Sequence, residues 1–175
     1  MRRRHEGRFQ RKQKGASAAV LTPLPGAPRA MPFDRSKSLQ QLEGDAWGEP
    51  TYDSYLVTEC HRLRRVPLRE FTAEDLRIMI GQRIGLPYLI PIALEVLHAD
   101  PFAEGAYYRG DLLAAVLRAE VAFWRQYPDL RREAAGIAAR AFVLLPTLDE
   151  IDRQTAQDVL TEANHDFQKS GRTTA

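Results

Sequence analysis

Cysteine is nearly absent: Cys60 is the only one in 175 residues, so no internal disulfide and no cysteine zinc cluster can form, which suits a reducing compartment. Long apolar runs are missing too. The longest, Leu86 to Leu94, holds two prolines and falls far short of the roughly 20 residues that cross a bilayer, so no transmembrane helix is expected. Runs of β-branched residues with period-two alternation are lacking, which argues against sheet, and no fixed repeat suggests a solenoid. Glycines match neither GxGxxG nor GxxxxGK[ST], which excludes nucleotide binding by those loops. Only four histidines occur, His5, His61, His98 and His165, none within HExxH.

What is present is an ordinary globular composition, 44% hydrophobic and 27% charged, in a chain long enough to bury a core unaided. The net charge of +2 conceals a division. Residues 1–37 carry ten Lys/Arg against two Asp/Glu, net +8, and residues 38–175 carry fifteen against twenty-one, net −6. A basic tail reads as an arm for nucleic acid or a membrane surface, whereas an acidic body repels phosphate backbones and attracts cationic partners.

Residues 1–37 read as a disordered tail. Arg2, Arg3, Arg4, Arg8, Arg11, Lys12 and Lys14 repel one another, and Pro23, Pro25, Pro28 and Pro32 support neither helix nor ladder. The only apolar stretch, Ala16 to Leu21, is too short for a secretory signal, and the twin-arginine pattern is missing. The compositional boundary also fits translation from Met31, with residues 1–30 an upstream extension, which intact mass from the native host distinguishes.

From Ser38 onward the signals are helical, predicting an all-α, compact bundle of about six to seven helices over residues 38–175. Ser38 caps a short helix over Leu39 to Glu43 that Gly44 stops. Tyr52, Tyr55, Leu56, Cys60 and Leu63 form an apolar stripe ended by Pro67, and Thr72 with Asp75 forms a capping box before Leu76, Met79, Ile80 and Ile84. Leu86 to Ala99 is apolar almost all round and therefore central, with Pro91 either setting a later start or bending the helix. Leu112 to Trp124 continues the pattern up to Pro128, and Asp129 to Leu145 is alanine-rich. Thr147 to Glu150 reads as a capping box for a last, more polar helix carrying Leu148, Ile151 and Val159.

No catalytic residue emerges. Cys60 and His61 are adjacent, and neighbouring helical side chains point about 100° apart, so a nucleophile–base pair is a poor account of them. Glu95 with His98 and Glu162 with His165 are Glu-x-x-His pairs of the kind that hold two metals in a bundle. With twelve glutamates in the chain, surface pairs that end helices explain them better. Glu74 with Asp75, and Asp149 with Glu150 and Asp152, suit first turns. Glu43, Asp45, Glu49 and Asp53 crowd around Trp47 with no long helix to explain them: either a solvated loop or an acidic recognition patch with an aromatic anchor.

The ordered set Ser38-Leu39, Leu42-Glu43, Trp47-Gly48-Glu49-Pro50, Tyr52-Asp53-Ser54-Tyr55-Leu56-Val57, Pro67-Leu68, Glu74-Asp75-Leu76-Arg77, Gln82, Gly85-Leu86, Ile90-Pro91, Ala93-Leu94, Gly110-Asp111-Leu112-Leu113 and Phe123-Trp124 resembles one family of immunity proteins from bacterial contact-dependent growth inhibition (CDI) systems. The likeness runs from about Lys37 to Pro128; Ala106 stands where a polar or acidic residue is expected before the tyrosines. The resemblance implies a non-catalytic, helical, cytoplasmic protein without cofactor, metal or small-molecule substrate. Its implied partner is the C-terminal toxin domain, commonly a nuclease, of an effector delivered by a neighbouring cell.

Among the matched residues, Trp47, Leu56, Leu76, Leu89, Leu94, Leu113 and Trp124 are expected in the core and Gly85 and Gly110 in turns. Toxin contacts are expected at exposed acidic positions, nominated as Asp45, Glu49, Asp53, Glu104 and Asp111. The alternative is a nucleic-acid-binding helical accessory protein that uses the basic tail.

Overall fold

A computed structural model describes residues 32–50 and 54–170, and the tail up to residue 31 lies outside it, as does Tyr52. Among the described residues there are eight α-helices and no strand: α1 (Leu39–Glu43), α2 (Tyr55–Leu63), α3 (Ala73–Gly81), α4 (Leu86–Ala99), α5 (Asp111–Leu117), α6 (Val121–Gln126), α7 (Pro128–Leu144) and α8 (Glu150–Ser170). The all-α class holds. The eighth helix arises because the segment from Leu112 to Trp124 is two helices: Glu120 takes an extended conformation, and α6 then buries Phe123 and Trp124.

Local chemistry explains the first boundaries. Ser38 and Gln41 exchange side-chain and backbone hydrogen bonds in a reciprocal cap on α1, and Thr72 and Asp75 do the same on α3. Residues 33–37, read from the sequence as tail, fold onto the body. Phe33 packs edge-on against Tyr88, Arg35 forks onto Glu95 of α4, and the Leu68 amide donates to the Lys37 carbonyl at 3.1 Å.

Between α3 and α4 the chain turns through two left-handed residues, Arg83 and Gly85. A Cβ on Gly85 would stand 2.7 Å from both Cδ atoms of the fully buried Leu39. Gly85→Ala therefore combines the left-handed penalty of about 1–2 kcal/mol with a steric one of similar size, an expected loss of about 2–4 kcal/mol. Thermal and urea denaturation measure it, and a loss below about 1 kcal/mol would show that Leu39 repacks freely.

α4 is buried through Leu86, Leu89, Ile90, Pro91, Ile92, Ala93, Leu94 and Leu97. It starts at Leu86 and runs past Pro91, so the later start that Pro91 allowed is not taken. α5 lies between α3, α4, α7 and α8, with Leu112, Leu113, Ala114, Val116 and Leu117 all buried. Two arginines of α7 cover carbonyls at other helix ends. Arg140 donates to the Leu97 and His98 carbonyls at 2.7 Å each, and Arg131 donates to the Phe167 carbonyl at 3.0 Å with its guanidinium over the Phe167 ring.

Two readings of the sequence are corrected. Tyr55 and Leu56, assigned to the buried stripe of α2, are exposed, because only the C-terminal half of that helix, at Cys60 and Leu63, is covered. The last helix is capped by Asp149, whose carboxylate accepts the Asp152 amide at 2.9 Å, while Thr147 donates instead to the Leu144 carbonyl within a 3-10 turn. Its buried stripe is Ala156, Leu160, Ala163 and Phe167; Ile151 points to solvent, and Leu148 and Val159 are half-buried.

Candidate functional site

Two arginine-centred clusters take up Glu43, Asp45, Glu74 and Asp111 of the polar residues singled out by the sequence. The first surrounds Arg64, just past the end of α2, with 2% of its surface exposed. Its guanidinium donates to Glu43 Oε2 at 2.5 Å and to the Asp45 carbonyl at 2.8 Å, and lies 4.2 Å from the centre of the Trp47 ring. The Trp47 indole donates back to Asp45 Oδ2 at 3.1 Å and meets the His61 ring edge-on. The acidic crowd around Trp47 is thus partly structural: Glu43 and Asp45 neutralise a buried cation, and Trp47 is half-buried as its cover. Glu49 remains exposed, 3.5 Å from Arg65, and Asp53 lies outside the described residues.

The second cluster joins α3, α5 and the loop between α4 and α5. Glu74 accepts from the Arg77 guanidinium at 2.6 and 2.7 Å, which raises the Arg77 pKa still further above its usual high value. Asp111 at the start of α5 is 3% exposed, and its carboxylate accepts the Gly105 amide at 2.7 Å and the Tyr107 amide at 3.2 Å. Arg77 also stands 3.8 Å from Asp111 and 4.5 Å from the centre of the Tyr107 ring. Of the nominated contacts, Asp111 therefore faces inward and holds a loop, while Glu104 on that loop faces solvent. A hollow of about 200 Å³ opens beside it, lined by Arg77, Ile80, Tyr107, Tyr108 and Arg118 among others.

Sequence reasoning missed Arg64, Arg77 and Tyr107. Arg62, Arg64 and Arg65 look alike in the sequence, and nothing local marks the middle one for burial. Gly105 carried a weak signal. A Cβ there would lie 2.5 Å from Glu74 Oε2 and 3.0 Å from Asp111 Oδ2, so a glycine lets the loop close onto both carboxylates.

The structure does not bring the Glu-x-x-His pairs together. Glu95 binds Arg35, His98 meets Glu133 of α7 at 2.6 Å, Glu162 pairs with Arg118 at 3.0 Å, and His165 lies 3.7 Å from Asp166. Cys60 is buried, and burial raises its thiol pKa and disfavours the reactive thiolate. Beside it, the bidentate hydrogen bond from Arg62 lowers the Glu59 pKa, tying α2 to a charged set that includes Asp75 on α3.

Comparison with protein-family models matches residues 41–134 to the family described as CDI immunity proteins. The chain belongs to that family. The match includes both clusters and ends inside α7, so α8 lies wholly beyond it. No curated protein and no solved structure matches the chain. Membership makes this immunity protein a toxin-neutralising one with a cognate toxin as partner. No helix among the described residues is long and apolar enough to cross a membrane.

Proposed function

We propose that this immunity protein works in the cytoplasm by stoichiometric masking of the C-terminal toxin domain of a CDI effector, with no reaction of its own, and that the toxin is a nuclease. The single observation that carries the reading is the family match over 41–134. Charge supports the finer part. A nuclease presents a basic surface to phosphate, and a body of net −6 over residues 38–175 is steered towards such a surface and competes with nucleic acid for it. Asp45, Glu49, Asp53 and Glu104 are the proposed direct contributors to that field, and Asp111 contributes by shaping the loop it holds.

The test is titration of the full chain against the toxin domain encoded immediately upstream of its gene. A one-to-one complex that weakens as salt rises, together with loss of nuclease activity at equimolar protein, is the expected result. Absence of binding would reject the reading. The tail, net +8 over residues 1–37, favours nucleic acid as a second ligand. Deleting residues 1–30 should remove nucleic-acid binding and leave toxin neutralisation intact.

A further inference from the structure

We propose that the loop from Ala103 to Arg109 is the docking element for the toxin, with Tyr107 as its anchor and Glu104 as its charged flank; this inference rests on the toxin-binding reading above. Six large apolar or aromatic side chains are exposed among the described residues: Tyr55, Leu56, Tyr107, Val121, Val143 and Ile151. Tyr107 differs from the others in what stands behind it. The residue is 71% exposed, yet one face of its ring lies against the Arg77 guanidinium at 4.5 Å, and its own amide is held by Asp111.

The loop that carries Tyr107 is fastened along its length. Asp111 accepts the Gly105 amide, the Asp111 amide donates to the Tyr108 carbonyl at 3.1 Å, and the Gly110 amide donates to the Phe102 carbonyl at 3.2 Å across the base. Gly105 sits close against both carboxylates, where a Cβ would lie 3.0 Å from Asp111 Oδ2 and would push the Glu74 carboxylate aside. An exposed aromatic already fixed in one conformation loses little freedom when a partner covers it, and tyrosine offers a large apolar area with a polar tip. The hollow of about 200 Å³ beside it, with Arg77, Tyr108 and Arg118 in its wall, gives a partner side chain a place to enter.

Charge selects the partner. The three arginines of this region are each ion-paired: Arg77 with Glu74, Arg109 with Asp100, and Arg118 with Glu162. Asp111 and Glu104 add two negative charges, and among the described residues Glu104 has no ion-pair partner. Counting the buried Asp111, five carboxylates stand against three guanidiniums, and the part of that excess presented to solvent is the unpaired Glu104, a sign that disfavours nucleic acid and fits a basic protein surface.

Binding of the full chain to the upstream-encoded toxin domain, measured by calorimetry and by association kinetics at two salt concentrations, tests the inference. Tyr107→Ala should raise Kd by at least about 30-fold, as expected of an anchor residue. Glu104→Lys should slow association and weaken its salt dependence. Ile151→Ser, at the start of α8, should leave Kd within about threefold of wild type. Glu104 is exposed, so Glu104→Lys should keep the wild-type Tm, and Tyr107→Ala, which gives up only the exposed ring's contact with Arg77, should lower it by no more than about 2–4 °C. If the wild-type chain binds and Tyr107→Ala and Glu104→Lys bind as tightly, the docking site is overturned and toxin binding stands; if the wild-type chain does not bind, the toxin reading fails and this inference with it.

Discussion

A chain ending at residue 149 is expected to lose cooperative unfolding, although it keeps every residue of the family match. α8 contributes Ala156, Leu160, Ala163 and Phe167 to the core, each at 1% exposure or less. It lies along α5, itself packed among α3, α4 and α7, and its Phe167 ring meets Trp124 edge-on at 5.3 Å. Removing it would open the Trp124 side of the core to water and strip the Phe167 carbonyl from Arg131. Marginal net stability of about 5–15 kcal/mol cannot absorb the loss of a whole packed helix.

The single-site version is Phe167→Ala, with an expected loss of about 3–5 kcal/mol from the cavity it leaves. In a domain of this size that corresponds to a fall in Tm on the order of 10 °C. Near-ultraviolet circular dichroism and denaturant titration read both variants. A truncated chain that keeps the wild-type transition would make α8 an appendage and would remove the structural reading of its alanine stripe.

Arg64→Met is the second large effect, expected at about 2–4 kcal/mol. Methionine fills much of the volume but donates nothing, so the hydrogen bonds to Glu43 and the Asp45 carbonyl and the stacking under Trp47 are lost together. The cost stays below that of a fully buried orphan charge because Glu43 and Asp45 keep contact with water. Arg64→Lys should recover little, since an ammonium cannot lie flat beneath the indole while reaching both acceptors. Trp47 fluorescence should shift to the red in both variants as its loop opens. A change in unfolding free energy below about 0.5 kcal/mol would place the Arg64 cluster among surface contacts of no consequence.

These variants mark where sequence reading succeeds and where it stops. The caps on Ser38 and Thr72 were legible because the partners, Gln41 and Asp75, sit three residues away and the chemistry closes on itself. The Thr147 to Glu150 pattern looked equally good and was not used. Thr147 was taken by the 3-10 turn before it, a choice made by how α7 ends against α8. The stripe of α8 was faint because two of its four members are alanine, whose weak hydrophobic signal hides how closely the helix approaches its neighbours.

The candidate surface was less legible than the fold. Glu104 could be named as an exposed acid from its loop, but Tyr107 could not be distinguished from Tyr108, nor Asp111 from any other first-turn carboxylate. Whether Asp111 faces water or pins a loop depends on Gly105, Tyr107 and Arg77, which reach it from two other segments. The excess of negative charge was countable in advance; which carboxylates are neutralised by a neighbour, as Glu43 is by Arg64 across 21 residues, was not.

Helicity, most helix starts and the sign of the body's field followed from the order of residues alone, because capping and amphipathic spacing act within about four positions and charge simply adds. Only the packed molecule decided that Arg64 is buried, that Asp111 turns inward and that Tyr107 is held outward. Each of those outcomes depends on segments that meet after the chain has folded, and burial is a property of the neighbours that arrive there.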